Sequence, residues 1–357
     1  MLAGTRMIKS IFLPCEPLTN GAGGYRVPFG VFRGYRVLIY IGKHAIFVAH
    51  GKTKDWMRNM TIAVLMSTYN GKDYLSEQLE SLANQTVADQ MTLYIRDDKS
   101  TDSTFEIIEQ WREKLSIVLI RGENKGPAAS FWELLMDSKI QADYYAFCDQ
   151  DDIWDADKLE CGIQRLNKDV HLAMCNCRLI DGEGNVFQEA WYEQEPKVNI
   201  IRQFVCGVVQ GCAIVFTDAL RRHMLENPVN CVPMHDNIVI LHSLGFGKVH
   251  WEQTPKFSYR MHGKNVVAKG QKSLLKKLKT TWWNWKNSSR HSMSEVAAEL
   301  LASPLNLTPE EVAYLNHVKT YRSSLRSKVY ILKNAYTKSV PWQALRSYYI
   351  RVLLNLF

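Results

Sequence analysis

The sequence predicts an α/β fold with a mixed, mostly parallel sheet, followed by a C-terminal helical region. Apolar strand-like runs alternate with amphipathic helical patterns from residue 60 to about residue 150. Polar and acidic side chains follow the ends of these runs, where open α/β sheets bind their ligands. Helical periodicity then dominates residues 271–357. These three observations predict a sheet with a functional edge and an added helical layer.

The first half of the α/β region alternates strictly between strands and helices. Its predicted strands are Thr61–Ser67, Thr92–Arg96, Ile117–Ile120 and Tyr144–Cys148. Apolar residues on one helical face predict helices over Lys72–Gln85 and Asp102–Lys114, and a proline suited to a first turn predicts a third helix over Pro127–Ser138. Strands separated by helices pair in parallel, so their carboxyl ends share one edge of the sheet.

The second half is less regular. We expect strands at Leu172–Cys177, Val205–Phe216 and Pro255–Arg260, with a helix following His235. Residues 342–357 have a helical pattern that places four apolar side chains on one face, namely Leu345, Tyr349, Val352 and Leu353. The predicted divisions are an extension at 1–59, a catalytic domain at 60–270 and a helical region at 271–357.

Composition restricts the class of protein. Hydrophobic residues make up 46% of 357, which is typical of a folded globular chain. The eight cysteines form no CxxC pair, which favours neither a zinc site nor a disulfide scaffold and predicts a reducing cytoplasm. No run of about 18 apolar residues predicts a transmembrane helix.

The positive charge is concentrated at the N-terminus. Residues 1–58 carry nine Lys/Arg against two Asp/Glu, which accounts for seven of the eight net positive charges. Because the excess belongs to this segment, we expect no nucleic-acid partner for the main domain. Two interpretations stay open: the segment is a weakly ordered extension, or the protein begins at Met60.

An acidic cluster, Asp149-Gln150-Asp151-Asp152, directly follows a predicted strand. Three carboxylates in four residues repel one another, so a fold must compensate their charge. Mg²⁺ or Mn²⁺ would do so, because both ions prefer oxygen ligands and also bind phosphates. The competing interpretation is a solvated acidic turn that caps a helix beginning near Asp155.

Four motifs in this order resemble glycosyltransferase family 2, the inverting nucleotide-sugar enzymes with the GT-A fold. They are residues 67–71 (STYNG), 97–102 (DDKSTD), 149–152 (DQDD) and the pair His235-Asp236. Within the family, residues 147–154 and the segment Tyr259-Arg260-x-His262 are most similar to bacterial dTDP-rhamnosyltransferases of polysaccharide and O-antigen assembly. The resemblance covers about residues 60–265.

The resemblance implies a donor, an acceptor and a location. The donor would be dTDP-L-rhamnose or a UDP-sugar, and the acceptor a saccharide carried on a polyprenyl lipid. The enzyme would be cytoplasmic, or peripheral on the cytoplasmic face of the inner membrane. Residues 272–290, with six Lys/Arg and three Trp, would suit an interfacial anchor. A helix packed on the catalytic domain with a solvated basic face is the alternative.

The resemblance also implies a nucleotide site. Its residues would be Thr68, Tyr69 and Asn70, with Asp97 or Asp98 accepting a hydrogen bond from the pyrimidine N3–H. The alternatives are an ordinary turn at residues 69–71 and helix capping by the acidic loop that follows the second strand.

Metal and acid–base roles are implied in the same way. Asp151 would ligate the divalent metal directly, and Asp149 would contact ribose or the metal's water shell. Asp152 would be an outer group or lie near the acceptor, and Trp154 would form an apolar wall or simply pack in the core. Asp236 would be the general base, with helix capping as the alternative.

Four further residues complete the implied site. His235 would orient the base or contact phosphate, and Gly211 would permit close backbone approach in the acceptor pocket. Arg260 and His262 would belong to a flexible loop over the donor diphosphate, with a plain surface position as the alternative for His262. Two other classes of protein remain in competition: a nucleotidyltransferase and an inactive nucleotide-sugar-binding GT-A scaffold.

Overall fold

The computed structural model describes residues 37–41, 44–48, 59–262, 292–335 and 340–357, the first two ranges as backbone only. The chain divides into two units, Met1–Asp55 and Trp56–Phe357. The first unit contains an antiparallel pair of strands, β1 (Val37–Ile41) and β2 (His44–Val48). The basic tryptophan-rich stretch at 272–290 lies outside the described residues.

The second unit is built on one nine-stranded mixed sheet. Its strands are β3 (Ile62–Thr68), β4 (Met91–Asp97), β5 (Ile117–Arg121), β6 (Tyr144–Cys148), β7 (Ile153–Trp154), β8 (Val170–Ile180), β9 (Val186–Gln188), β10 (Ile214–Thr217) and β11 (Lys248–Arg260). The order is β5-β4-β3-β6-β10-β8-β11-β7, and β9 pairs with β8. The first four strands are mutually parallel, as predicted, and β10 joins the two halves in antiparallel orientation.

Helices cover the sheet and extend beyond it. They are α1 (Leu75–Ala83), α2 (Thr104–Trp111), α3 (Pro127–Met136), α4 (Lys158–Arg165), α5 (Ile200–Val205), α6 (Asp218–Glu226), α7 (His235–Phe246), α8 (Ser292–Ala302), α9 (Pro309–Thr320), α10 (Leu325–Ala335) and α11 (Trp342–Leu353). Gly126 adopts a positive φ of 79° and Pro127 opens α3, so this helix begins where its sequence predicts.

Parallel pairing brings the predicted motifs together. β3 lies between β4 and β6, with Thr68 opposite Asp97 and Met66 opposite Cys148. The loop after β3, the loop after β4 and the acidic cluster after β6 therefore emerge at the same edge of the sheet.

The predicted strand Val205–Phe216 is wrong over most of its length. Val205 ends helix α5, and only Ile214–Thr217 pairs in the sheet as β10. A short 3₁₀ turn at Gly211–Ala213 precedes that strand. The buried side chains of Ile200, Phe204 and Val205 pack in a second hydrophobic core instead, so tertiary packing overrides the strand-like composition here.

This second core joins the C-terminal helices to α5 and α7. It contains Tyr314, Leu315, Ile331, Leu345, Tyr348 and Val352 together with Ile238 and Leu241. The predicted inner face of α11 is therefore wrong in part, because Tyr348 is buried and Leu353 is 59% exposed. The buried positions 345, 348 and 352 follow the helical repeat, which turns Leu353 outward.

Candidate active site

A cavity of about 540 Å³ opens at the carboxyl ends of the parallel strands. Nine of the predicted site residues line it: Tyr69, Asn70, Asp98, Asp149, Asp151, Gly211, His235, Asp236 and His262. The cavity lies within the size range typical of small-ligand sites. The structure thus brings together residues from six separate parts of the sequence.

Five predicted residues lie outside this cavity wall, namely Thr68, Asp97, Asp152, Trp154 and Arg260. All five are buried, and each supports a neighbour. Trp154 packs in the core, where its ring contacts the Lys158 ammonium, and its backbone N–H donates to Ser81 Oγ. Core packing, the alternative considered for this tryptophan, is therefore what the structure shows.

Hydrogen bonds from the Gln150 side chain hold the loop after β3 against the acidic cluster. Its amide accepts a hydrogen bond from the Tyr69 N–H at 3.0 Å and donates one to the Tyr69 carbonyl at 3.2 Å. Gly71 leaves room for this arrangement, because a Cβ there would lie 2.3 Å from Gln150 Oε1. The Tyr69 ring stays 49% exposed on the cavity wall. Gln150 therefore sets where this ring stands.

The loop after β4 is bonded to the loop after β3 by side chains. Asn70, with a left-handed φ of 48°, accepts a hydrogen bond from the Thr101 N–H at 2.8 Å. Asp97 accepts from the Thr68 hydroxyl at 3.1 Å and from the Ser100 N–H at 3.1 Å. These bonds give Thr68 and Asp97 a structural task beneath the cavity.

Asp98 reaches the cavity wall but is heavily engaged. Its carboxylate forms a buried ion pair with Arg96 and accepts from the Ser130 hydroxyl at 2.6 Å. The N–H groups of Lys125 and Gly126 donate to its Oδ2 at 3.2 and 3.1 Å. Asp98 thus connects the end of β4 to the start of α3.

Asp149 and Asp152 lie together at the end of β6. Their carboxylate oxygens and Cys212 Sγ lie within 4.8 Å of one another. Burial, followed by the charge of Asp151, raises the pKa of Asp149 to about 7. Burial, followed by the charge of Asp149, raises the pKa of Asp152 well above its usual value. The site therefore accumulates carboxylate charge that the surrounding protein leaves poorly compensated.

Burial also keeps the Cys212 thiol protonated. It raises the pKa of this thiol well above its usual value, so the group acts as a hydrogen-bond donor to the neighbouring carboxylates. Asp152 Oδ1 accepts from the Arg260 N–H at 3.2 Å, while Oδ2 has no oxygen or nitrogen donor among the described residues. A buried carboxylate oxygen without such a donor is costly and indicates a charge site.

Asp151 points to the opposite side of the cluster. Its Oδ2 lies 2.8 Å from His262 Nε2, and the His262 ring packs on Tyr74 with centroids 4.8 Å apart. Both Asp151 and His262 line the cavity. This pair presents one carboxylate and one imidazole beside Asp149, which are ligand types that divalent metals accept.

Arg260 is placed differently from its prediction. It is the last residue of β11, fully buried, and not part of a flexible loop. Its guanidinium donates to the Asp151 carbonyl at 2.9 Å, to the Gly182 carbonyl at 3.0 Å and to Glu77 at 2.6 Å. Five fixed donors in a planar group suit this task, which is to tie the acidic cluster to β11 and α1.

Asp236 lies across the cavity from the acidic cluster, in the first turn of α7. The helix N-cap is Met234, so Asp236 is not itself the cap that was considered as an alternative. Its Oδ1 accepts from the Asn237 N–H at 2.7 Å. Burial raises its pKa to about 6, and backbone N–H groups, including that of Gly211, oppose the rise. Asp236 is therefore ionised at neutral pH but more basic than an ordinary aspartate.

His235 is held as a neutral ring beside this carboxylate. It stacks on Phe131 at 4.2 Å and meets the edge of Phe147 at 4.6 Å. Burial lowers its pKa to about 3, and neither ring nitrogen has a hydrogen-bond partner in the described part of the chain. A neutral imidazole with open nitrogens is suited to hydrogen bonding with a ligand hydroxyl and does not bring positive charge to a phosphate.

Sequence reasoning missed the roles of Gln150, Cys212, Tyr74 and Phe131. Gln150 had a weak signal in the sequence, because it is an uncharged amide within a cluster whose other side chains are all acidic. The other three show no pattern in the sequence that separates them from core residues. Their roles depend on which strands and helices become neighbours.

Comparison with known proteins agrees with this geometry. The family model described as "Glycosyl transferase family 2" matches residues 63–227. The putative glycosyltransferase EpsH of Bacillus subtilis is 26% identical over 61% of this chain and 66% of its own length. The dTDP-rhamnosyl transferase RfbG of Shigella flexneri is 37% identical over 28% of this chain and 36% of its own. The chain therefore matches about two thirds or less of these relatives.

A solved structure shares the fold. The 1–349 fragment of Staphylococcus aureus TarS, in complex with UDP-GlcNAc, superposes with a TM-score of 0.53 over 83% of this chain and 89% of its own, at 16% identity. The sheet and its helices define a GT-A glycosyltransferase fold. Over residues 63–227 the chain matches glycosyltransferase family 2, and the shared fold agrees with that match.

Replacing Asp149 by Asn is expected to stabilise the metal-free protein at high pH. Because the pKa of Asp149 is raised to about 7, the folded state keeps a proton that the unfolded state releases near pH 4. The stability that this group contributes is therefore lost as the pH rises towards 7. We expect Asp149→Asn to be about 1–2 kcal/mol more stable than wild type near pH 8, measured by urea unfolding in EDTA.

The matched control is Asp89→Asn, at an exposed aspartate. It should leave the pH dependence of the unfolding free energy unchanged between about pH 5 and pH 8. Equal pH dependence in wild type and Asp149→Asn would contradict the assigned burial of this carboxylate.

Proposed function

We propose that this protein is an inverting, metal-dependent glycosyltransferase of cell-surface polysaccharide biosynthesis. It transfers a sugar, with L-rhamnose from dTDP-L-rhamnose as the preferred assignment, to a saccharide acceptor. The observation that carries the proposal is the pairing of Asp236 with the acidic cluster in one cavity, close enough for the charge of Asp236 to raise the pKa of Asp149. A base and a diphosphate site facing one reacting carbon are what inversion requires.

The nucleotide half of the donor would occupy the side of the cavity near Tyr69 and Asp98. The half-exposed Tyr69 ring offers a face for a pyrimidine, and Gln150 fixes its position. Asp98 lines this part of the wall, and a base N–H would share its carboxylate with the Lys125 and Gly126 N–H groups that already donate to it. Asp97 supports the loop from beneath.

The donor diphosphate needs positive charge, and the described cavity wall supplies no Lys or Arg. The residues present fit a divalent cation instead, because Asp149 and Asp151 present carboxylates to the cavity, His262 adds an imidazole, and the pKa of Asp149 is raised. Asp149, Asp151 and His262 would hold it, since all three line the cavity while Asp152 and Cys212 lie behind it. When bound, such an ion neutralises charge on the leaving nucleoside diphosphate.

Asp236 would remove the proton of the acceptor hydroxyl. Its raised pKa makes it a better proton acceptor than an ordinary aspartate, and it is still ionised at neutral pH. His235 lines the cavity with a ring whose nitrogens are buried and have no partner among the described residues, so it would form a hydrogen bond with an acceptor hydroxyl that enters beside it. Gly211 leaves the space in which these two side chains sit.

The finer assignments have separate supports. Rhamnose is supported by the 37% identity to RfbG, which spans 106 residues. A UDP-sugar is the second candidate, because the related fold of TarS was solved with UDP-GlcNAc. A polyprenyl-lipid-linked acceptor and a place at the cytoplasmic face of the membrane follow from the family resemblance alone.

The competing classes have weaker support. A nucleotidyltransferase would use a basic, glycine-rich loop after the first strand, whereas the loop here presents Tyr69 and Asn70. An inactive scaffold would have no need for a buried base opposite an acidic cluster. Glycosyl transfer uses both features.

Turnover of nucleotide sugars tests the proposal directly. We expect the purified full chain to hydrolyse or transfer from dTDP-L-rhamnose in preference to UDP-sugars and GDP-mannose, with Mn²⁺ or Mg²⁺ present. EDTA should remove the activity, because no described basic side chain replaces the cation. Turnover that is unaffected by EDTA, or no turnover of any donor, would overturn the proposal.

Replacing Asp236 by Asn should lower transfer at least about 100-fold, because the amide cannot accept the proton. Binding of dTDP, measured by calorimetry, should stay close to that of wild type. The wild-type rate should rise with pH and level off above about 6, the pKa of this carboxyl. Loss of dTDP binding in Asp236→Asn would show that the residue serves the donor instead.

Gly211→Ala should damage catalysis without unfolding the protein. The new Cβ would lie 2.8 Å from His235 Nε2 and 3.3 Å from Asp236 Cβ. Because Phe131 and Phe147 hold the histidine ring in place, the adjoining Asp236 would have to shift instead. We expect about a tenfold or larger fall in kcat.

The matched control is Gly207→Ala, four residues earlier in the chain. A Cβ at this position meets no atom within 4 Å, so activity should be retained. Equal activities for the two variants, each with an unchanged unfolding temperature, would show that Asp236 does not depend on the gap at Gly211.

A further inference from the structure

Helices α10 and α11 expose large apolar side chains. Leu325 and Val329 on α10 are 76% and 43% exposed, while Trp342 and Leu353 on α11 are 66% and 59% exposed. Each pair lies on one helix face, because four and eleven residues are close to whole numbers of helical turns. Single exposed apolar side chains are normal on a folded protein, but several on the same helix faces are typical of a surface that meets a partner.

These apolar residues are the outer sides of well-packed helices. Ile331 and Ala335 of α10 and Tyr348 and Val352 of α11 face the second core and are buried. Tyr348 also shares a buried hydrogen bond of 3.0 Å with Tyr314 of α9. Because the inner faces are already occupied, the outer faces are available to a partner without unfolding.

The same part of the chain is strongly basic. Residues 312–357 contain eight Lys/Arg and no Asp or Glu. Arg326 and Lys333 are exposed on the outer side of α10, and Arg346 is exposed between Trp342 and Leu353 on α11. We use the name outer face for Leu325, Arg326, Val329, Lys333, Trp342, Arg346 and Leu353.

We propose that the outer face docks on an anionic lipid bilayer. Arg and Lys side chains would meet lipid phosphates, while Trp342 and the aliphatic side chains would enter the boundary between headgroups and acyl chains. The proposal deepens the proposed function, on which its biological meaning rests, because an acceptor carried on a lipid has to be met at a membrane surface. The docking itself requires no catalysis.

Charge complementarity favours a bilayer over the other occupants. A second copy of this chain would bring an equally basic face against the outer face, and like charges repel. A nucleic acid would satisfy the cations, but its phosphate backbone gives Leu325, Val329 and Leu353 nothing to bury. An anionic bilayer offers phosphates to the basic side chains and an apolar layer to the exposed apolar side chains.

Vesicle co-sedimentation of the full chain tests the proposal. We expect binding to phosphatidylcholine vesicles that contain phosphatidylglycerol, little binding to phosphatidylcholine alone, and weaker binding as salt rises. The charge-reversed variant Arg326→Glu/Lys333→Glu/Arg346→Glu should bind at least about tenfold more weakly. The variant Trp342→Ser/Leu353→Ser keeps the charge and should also bind several-fold more weakly.

The matched control reverses three exposed lysines elsewhere, as Lys139→Glu/Lys168→Glu/Lys248→Glu, with the same change in net charge. It should bind vesicles better than the outer-face reversal does. Donor hydrolysis in solution should be unchanged in all three variants, so a failure of the proposed function and a failure of docking are separable.

Two results would overturn docking. One is wild-type vesicle binding by both outer-face variants. The other is an absence of vesicle binding in wild type, in which case sedimentation velocity and a fluorescent oligonucleotide would assign the face to a second copy or to nucleic acid.

Discussion

Carboxylate charge at the end of β6 is the constraint on which the site depends. Asp149, Asp151 and Asp152 cannot share one environment, and the structure gives each its own. Asp152 is buried against the Arg260 backbone, Asp151 meets His262, and Asp149 faces the cavity. The remaining charge is not balanced by the described protein side chains, and the fold tolerates that cost where a ligand can balance it.

The same constraint explains why the second half of the sheet is needed. Arg260 lies at the far end of β11, yet its guanidinium bonds to the carbonyl of Asp151 and to Glu77 of α1. Cys212, just before β10, brings its thiol to the same carboxylates. The second half of the sheet therefore does more than extend it, because β11 ends at Arg260 and the turn that leads into β10 holds Cys212, the two residues that contact the acidic cluster from this side.

The sequence predicts the parts of this arrangement that depend on local pattern. Periodicity was enough for the first four strands of the sheet and their helices, and strand-end chemistry was enough for the acidic cluster. The burial of Arg260, the task of Gln150 and helix α5 could not be predicted, because each depends on which distant element becomes a neighbour. The outward position of Leu353 has the same origin, since the helical pattern alone does not say whether residue 348 or 349 faces the core.

The neutral state of His235 makes the two sides of the cavity chemically different. A protonated histidine beside Asp236 would hold its carboxylate ionised and make it a weaker base. Phe131 stacks on the imidazole and Phe147 meets it edge-on, and this burial keeps the imidazole neutral. Desolvation of Asp236 raises the pKa of its carboxyl group to about 6, which is low enough for the group to be ionised at neutral pH and high enough to suit the base that we propose it to be. His235 therefore brings no positive charge beside Asp236, whereas the opposite wall is the one where a leaving diphosphate would need positive charge. A few buried aromatic rings thus help to give the two walls of the cavity different chemistry.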